Sequence, residues 1–425
     1  MQRNERLHPR PARPLPALLL AAGVVLAAGA HAQPAPGDAP ATLRQAFAAA
    51  WARQPEARSL AARRDAAEAR RQAADAWLAE PPALELSGKT DRVTGNDGGR
   101  EYEIGVALPL WLPGERARAG ALADAEARAA ASRAEAARLR TAAAVREAWW
   151  DWQRARGEKA LAEDRLASAR ALAEDVARRV RAGDLARADR HQADGAVAGA
   201  EAALAEAAAG LGATAQRLRA LTGRPPLADG AAVAETLPGL PAGPDVLDAA
   251  HPVLDELRDR AEVARRGADL AGAQTRANPE LTLLATRERG AFGESWGQAL
   301  TVGVRIPFGA EPRHRAKAGL AHAEAIEAEE LLRLEGERLA AERDAARQRV
   351  DAAAAQLAAA ETRARLAAET RGFFDKSFRL GESDLPTRLR VELEAAEAGR
   401  QAGRARIDHA AAVSALRQAL GLLPE

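Results

Sequence analysis

The sequence predicts a mainly α-helical protein with a small membrane β part. A long antiparallel α-helical barrel, or tunnel, should run into a 12-stranded transmembrane β-barrel, each formed by three chains that contribute four strands apiece. Three observations carry this. The chain repeats itself at a constant offset, each repeat holds a pair of short alternating segments, and each pair is followed by a helical stretch far longer than a globular helix.

The offset is 198 residues. It aligns Pro81 with Pro279, Leu86 with Leu284, Gly105 with Gly303, Val106 with Val304 and Pro109 with Pro307. The same register later aligns Arg181 with Arg379, Gly183 with Gly381, Arg190 with Arg388, Leu218 with Leu416 and Gly223 with Gly421. A constant shift over so long a span marks a duplication. The first repeat is predicted over 33–223, an equatorial linker over 224–244, and the second repeat over 245–425.

Before the first repeat, Arg3, Arg6, Arg10 and Arg13 precede an apolar run from Leu15 to Ala28 and the small-residue site Ala30-His31-Ala32. That pattern predicts a signal peptide over 1–32, with cleavage after Ala32. Removal takes the formal charge from +1 to −2, which leaves no basic surplus for nucleic acid. With no cysteine in the chain, disulfides, thiolate metal sites and a lipid-bearing N-terminal Cys are excluded. No later segment reads as a spanning helix, so any membrane crossing falls to β-strands.

Strands are predicted over 83–91 and 101–110, joined by the glycine-rich turn Thr94 to Gly99, and again over 280–288 and 298–308. Ile104, Val106, Leu108 and Leu110 alternate with small or polar residues, which gives the strand one apolar face. Trp111, Phe292 and Trp296 fall at strand ends, where an interfacial aromatic belt belongs. Long helices follow over 117–182 and 314–379, each about 100 Å at 1.5 Å per residue. They end at Gly183 and Gly381, and return helices run over 185–222 and 384–420. Shorter helices over 40–79 and 245–276 supply the length that the return helices lack, so two half-helices equal one long one. Alanine-rich seams let such helices approach closely, while residues such as Glu135, Arg138, Glu163 and Arg178 cover wetted surfaces. Four strands cannot close a barrel, and an open edge in lipid leaves unpaired backbone groups, so three copies are required.

No catalytic residue, metal site or cofactor is predicted. The five histidines beyond the signal, His191, His251, His314, His322 and His409, have no helical i, i+4 pairing, and Gly88, Gly95, Gly98 and Gly99 are turn glycines without a phosphate-loop Lys. Trp149, Trp150 and Trp152 read as inter-helix packing. Other classes are a filamentous coiled coil, a periplasmic coiled-coil adaptor or scaffold without a channel, and an enzyme with a helical arm. The paired β-hairpins weigh against all three.

The segments EIGVALPLWLPGERARA and LTVGVRIPFGAEPRHRA, with the turns VRAGDL and FRLGESDL, resemble the TolC family of outer-membrane efflux proteins. Length and an unlipidated N-terminus lean toward its heavy-metal, CzcC-like branch. The resemblance implies a homotrimer in outer-membrane lipid of a Gram-negative bacterium, with its helical part in the periplasm. It would serve as the passive exit duct of a tripartite efflux system, docked to a periplasmic adaptor and an inner-membrane pump of RND type. The tips that meet the adaptor would be Val180, Arg181, Ala182, Gly183, Asp184 and Leu185, together with Phe378, Arg379, Leu380, Gly381, Glu382 and Ser383. Tunnel-gate candidates are Asp184, Asp189, Glu382 and Asp384, with Arg181 and Arg379 as partners. The same carboxylates also read as solvated groups that favour the start of a return helix.

Overall fold

A computed structural model describes residues 40–93, 95–227, 233–239, 251–309 and 311–425. The expected signal peptide, much of the equatorial linker and the start of the 245–276 helix lie outside the described residues.

Helix α1, Leu43–Trp51, starts on Thr42, whose hydroxyl accepts from the Gln45 amide at 3.2 Å. Where one helix is predicted over 40–79, the chain breaks: Gln54 is extended at φ −67°, ψ 140°, and helix α2, Pro55–Asp75, begins anew. The cause is Pro55, which has no N–H to donate and disfavours helical backbone in the residue before it, yet suits a helix start. Strands β1, Ala83–Thr90, and β2, Arg100–Pro109, follow. Helix α3, Glu115–Ala182, has 68 residues. It stops at Gly183 in left-handed backbone, φ 88°, which closes the helix with a hydrogen bond from the Asp184 amide to the Arg179 carbonyl at 3.0 Å. Helix α4, Arg187–Thr222, runs back. Then come helix α5, Pro252–Ala273, strands β3, Glu280–Arg289, and β4, Gly297–Arg305, the 69-residue helix α6, Glu311–Arg379, and helix α7, Leu385–Ala419.

The four strands form one antiparallel sheet in the order β1-β2-β3-β4. Each hairpin comes from one repeat, and the β2–β3 pairing, with Ile104 opposite Ala285, joins the repeats. Edges β1 and β4 are left unpaired.

Side by side, the helices stand in four columns. Helix α3 has α2 and α4 along one flank, tied by Arg71–Asp124 at 2.7 Å and Arg170–Glu201 at 2.7 Å. Its other flank meets α5 through Arg140–Glu256 at 2.7 Å and α7 through Arg154–Asp408 at 2.7 Å. The α5/α7 column in turn packs on α6, with Arg265–Glu329 at 3.5 Å and Arg406–Glu361 at 2.7 Å. Two short helices thus equal one long helix in each of two columns. These ion pairs are largely exposed and set registry more than stability.

Small residues line the seams, and the bulky core sits at mid-length. There Phe47 of α1 meets Val145, Trp149, Trp150 and Trp152 of α3 and Leu218 of α4. The tryptophan triplet is therefore packing, with Trp149 only 1% exposed. A second small core, Leu172, Val176, Ala193, Phe378 and Leu385, closes the far tip. Helix α4 holds a correction: by length and composition it is apolar enough to cross a membrane, although the sequence reading found no such segment. Alanine, with a few leucines and a valine, supplies its hydropathy, and it lies lengthwise on α3 with its free flank exposed.

A buried polar cluster pins the equatorial segment. Glu235 accepts from two of the three Arg146 nitrogens, Nε at 3.1 Å and Nη2 at 2.8 Å, lies 3.3 Å from Arg417 Nε, and accepts from Ser414 Oγ. Arg146 also donates to Gln418 Oε1 at 2.7 Å and to the Leu422 carbonyl at 2.9 Å. Arg417 reaches Glu425 at 2.5 Å, and Thr236 Oγ1 lies 2.7 Å from Glu425 Oε2. The C-terminus and the link therefore meet at the same level, with Glu235 and both arginines buried.

Candidate functional surfaces

The sheet register sorts the strand side chains into two faces. One carries Leu84, Leu86, Ile104, Val106, Leu108, Leu281, Leu283, Ala285, Leu300, Val302 and Val304. The other carries Glu85, Ser87, Lys89, Glu101, Glu103, Thr282, Thr286, Glu288 and Thr301, with cross-strand contacts such as Ser87 Oγ to Glu103 at 2.7 Å and Lys89–Glu101 at 3.5 Å. On the apolar face Leu300 is 77% exposed and Leu86 69%. So much bare hydrocarbon on one side of a sheet requires a hydrophobic surrounding, since a soluble face would alternate with charge. Tyr102, Phe292 and Trp296 lie toward the hairpin turns, and exposed Trp77 and Phe308 flank the opposite, helical end together with half-buried Trp111. That places an aromatic group at each end of the apolar band.

The two turns pack on each other. The Phe292 amide donates to the Asp97 carbonyl at 2.8 Å, and Gly98, at φ 101°, sits so close that an added Cβ would lie 2.3 Å from the Phe292 nitrogen. Only glycine fits there. At the other end Glu115, 2% exposed, clamps the hairpins to the helices by accepting from the Leu112 amide at 2.9 Å, Gln274 at 2.7 Å and Asn278 at 2.7 Å. The sequence reading does not mark Glu115; its signal is an acidic residue in the first turn after Pro113-Gly114.

At the far tip, Arg181, Ala182, Gly183, Asp184, Arg379, Leu380, Gly381 and Glu382 are exposed, and Val180, Leu185 and Ser383 are half-buried. Phe378, which the family resemblance implies as a contact residue, is 1% exposed. It is held between the guanidinium groups of Arg179 and Arg388, 4.8 and 5.4 Å from the ring centre. Arg179 also donates to the Phe378 carbonyl at 3.0 Å, which ties the first tip to the second. Asp375 pairs with both Arg379 and Arg388. Partial burial opposes its charge, and hydrogen bonds from the two arginines overcome that and hold the carboxyl below its usual range. Neither Asp375 nor Arg179 was marked by sequence, whereas Arg388 was visible as a position kept in the repeat.

Of the gate candidates, two act as helix caps. Asp189 accepts from the Ala186 amide at 2.9 Å, and Asp384 from the Thr387 amide at 3.0 Å. Hydrogen bonds from Thr387 lower the Asp384 carboxyl. Asp184 and Glu382 are exposed. Within one chain and among the described residues, Arg379 pairs with Asp375, and neither it nor Arg181 pairs with any of the four carboxylates.

Residues 47–224, which take in most of the first repeat, match the family described as "Outer membrane efflux protein". No curated protein matches the chain in sequence. Among solved structures, the outer membrane protein VceC of Vibrio cholerae is 20% identical with a TM-score of 0.71, over 90% of this chain and 97% of that one. The MtrE outer membrane channel of Neisseria gonorrhoeae, in its open state, is 18% identical with a TM-score of 0.72, over 90% of each chain. The CmeC outer membrane channel of Campylobacter jejuni is 15% identical with a TM-score of 0.71, over 89% and 85%. The chain thus has, over nearly its whole length, the fold of bacterial outer membrane channels, and its first repeat carries the sequence pattern of the outer membrane efflux proteins.

Proposed function

We propose that three copies of this chain form a passive exit duct in the outer membrane. Twelve strands would close as a barrel and the helical columns as a periplasmic tunnel, fed by a periplasmic adaptor and an inner-membrane pump. The observation that carries this reading is the sheet: one face apolar, the other polar, and both edges open. In lipid an open edge leaves backbone groups unsatisfied at several kcal/mol each, and a second copy's edge is the natural cover. The bare flank of α4 calls for a neighbour in the same way. An adaptor or scaffold without a channel is not favoured, because it has no use for an exposed apolar sheet. Outer-membrane fractions should yield a heat-modifiable trimer; a soluble periplasmic monomer would refute the duct.

The exposed tip turns are the proposed adaptor contact. Gly183 and Gly381 have φ of 88° and 79°, and nothing lies within 4 Å of an added Cβ at either. Bulky substitutions there would cost only the left-handed backbone penalty, about 1–2 kcal/mol each, but would place side chains on the docking surface. The double Gly183→Leu, Gly381→Leu variant should still form trimers and lose co-purification with the adaptor. Retained co-purification and export would remove the tips from that role.

Asp184, Asp189, Glu382 and Asp384, with Arg181 and Arg379 reaching them from neighbouring copies, are proposed to line the tunnel mouth. Neutralising Asp184 and Asp384 together should reduce cation preference in single-channel recordings, and an unchanged current would exclude them. For cargo we favour heavy-metal cations, supplied by the pump. Deleting the duct should then lower metal tolerance more than drug tolerance, and the reverse order would discard that choice.

A further inference from the structure

On the apolar face of the sheet, arginines occupy only the two rows nearest the hairpin turns. Arg287 lies on β3 in the row with Gly88, Tyr102 and Gln298, and Arg289 one row nearer the turns, beside Arg100. Counting six residues from Leu281, Arg287 is about 20 Å along the strand, at the turn-side border of the apolar band. Arg100 is committed to Asp91 at 2.6 Å. Among the described residues neither Arg287 nor Arg289 has a carboxylate partner.

Aromatic rings position these two side chains. Both guanidinium carbons lie 5.0 Å from the Trp296 ring, Arg289 is also 5.5 Å from Phe292, and Tyr102 stacks on Trp296 at 5.8 Å. Stacking fixes a guanidinium plane without neutralising it, and leaves its N–H edge free for a bidentate anion. Arg289 spends only Nε, on the Gly98 carbonyl at 3.0 Å. On the same face a shallow groove of about 930 Å³ starts at Arg287 and Gln298 and runs down the sheet past Leu86, Ile104, Ala285 and Leu300.

We propose that this is a docking surface for a phosphate-bearing lipid of the outer leaflet, with its phosphate on Arg287 and Arg289 and an acyl chain in the groove. The inference rests on the outer-membrane reading above, because only then does the turn end of the apolar face meet phosphorylated headgroups. The amphiphile matches the surface on both counts. An unpaired cation at the headgroup border requires an anion, and the groove beneath it requires hydrocarbon.

The trimer would be placed in nanodiscs of phosphatidylcholine doped with bisphosphorylated lipid A, and the lipid retained would be counted by native mass spectrometry. Lipid A should be enriched around the wild type. Enrichment should fall about tenfold for Arg287→Gln combined with Arg289→Gln, and equally for the wild type given dephosphorylated lipid A. The second arm needs no variant, so a folding defect cannot mimic the result. Wild-type trimer that inserts but takes up both forms of lipid A alike overturns the lipid site and leaves the duct standing. A wild type that neither trimerises nor inserts refutes both.

Discussion

Alanine at Glu235 should destabilise the chain by about 3–5 kcal/mol, the cost of stranding buried charge when its partner is removed. Arg146 and Arg417 are 5% and 6% exposed at their side chains and both face this one carboxylate. After truncation Arg146 keeps only the neutral Gln418 and Leu422 acceptors, while Arg417 keeps Glu425. Urea unfolding of the detergent-solubilised protein, followed by helical circular dichroism, should show the midpoint displaced downward. Combining Glu235→Ala with Arg146→Ala should cost less than the two single changes added together, since each leaves the other uncompensated. A Glu235→Ala variant within about 1 kcal/mol of the parent would show that the cluster is dispensable.

Arginine at Leu300 should abolish the membrane-inserted trimer. Near the middle of the apolar face a lipid-exposed arginine costs about 2–4 kcal/mol, and three copies would bring it to the barrel three times. The adjacent Ala299 points to the polar face, so Ala299→Arg should leave a heat-modifiable trimer with altered conductance. The pair isolates the face from the level, because the two positions differ by one residue along β4. Equal behaviour of the two variants would mean that the faces have been assigned wrongly.

Much of the fold could be read from the chain because it is punctuated. Gly183 and Gly381 end the long helices through left-handed backbone that only glycine adopts freely, and the sequence placed both ends there. Strand β4 stops at Arg305, short of the expected 308, because Pro307 has no N–H for the ladder. The alanine-rich pattern on both sides of Pro55 predicts a single helix over 40–79, and the proline alone marks the division. Sequence could not reveal the Glu235 cluster. A lone Glu in a Pro- and Gly-rich link looks solvated, and Arg146 lies 89 residues away. Phe378 falls within the contact segment that the family resemblance implies. Its turn looks exposed, and only the Arg179 and Arg388 contacts show that the ring points inward. Periodicity reports which face a residue occupies, whereas partners brought together from distant segments are set by tertiary packing.

The unpaired edges of β1 and β4 also have a genetic consequence. In the proposed ring each chain's first strand is completed by a neighbour's last, so a chain with one spoiled edge harms any assembly it joins. Expressed in equal amounts with the normal allele, such a chain would leave only about one assembly in eight free of it. An allele with a broken edge strand should therefore act as a dominant poison, whereas a null allele would merely halve the supply.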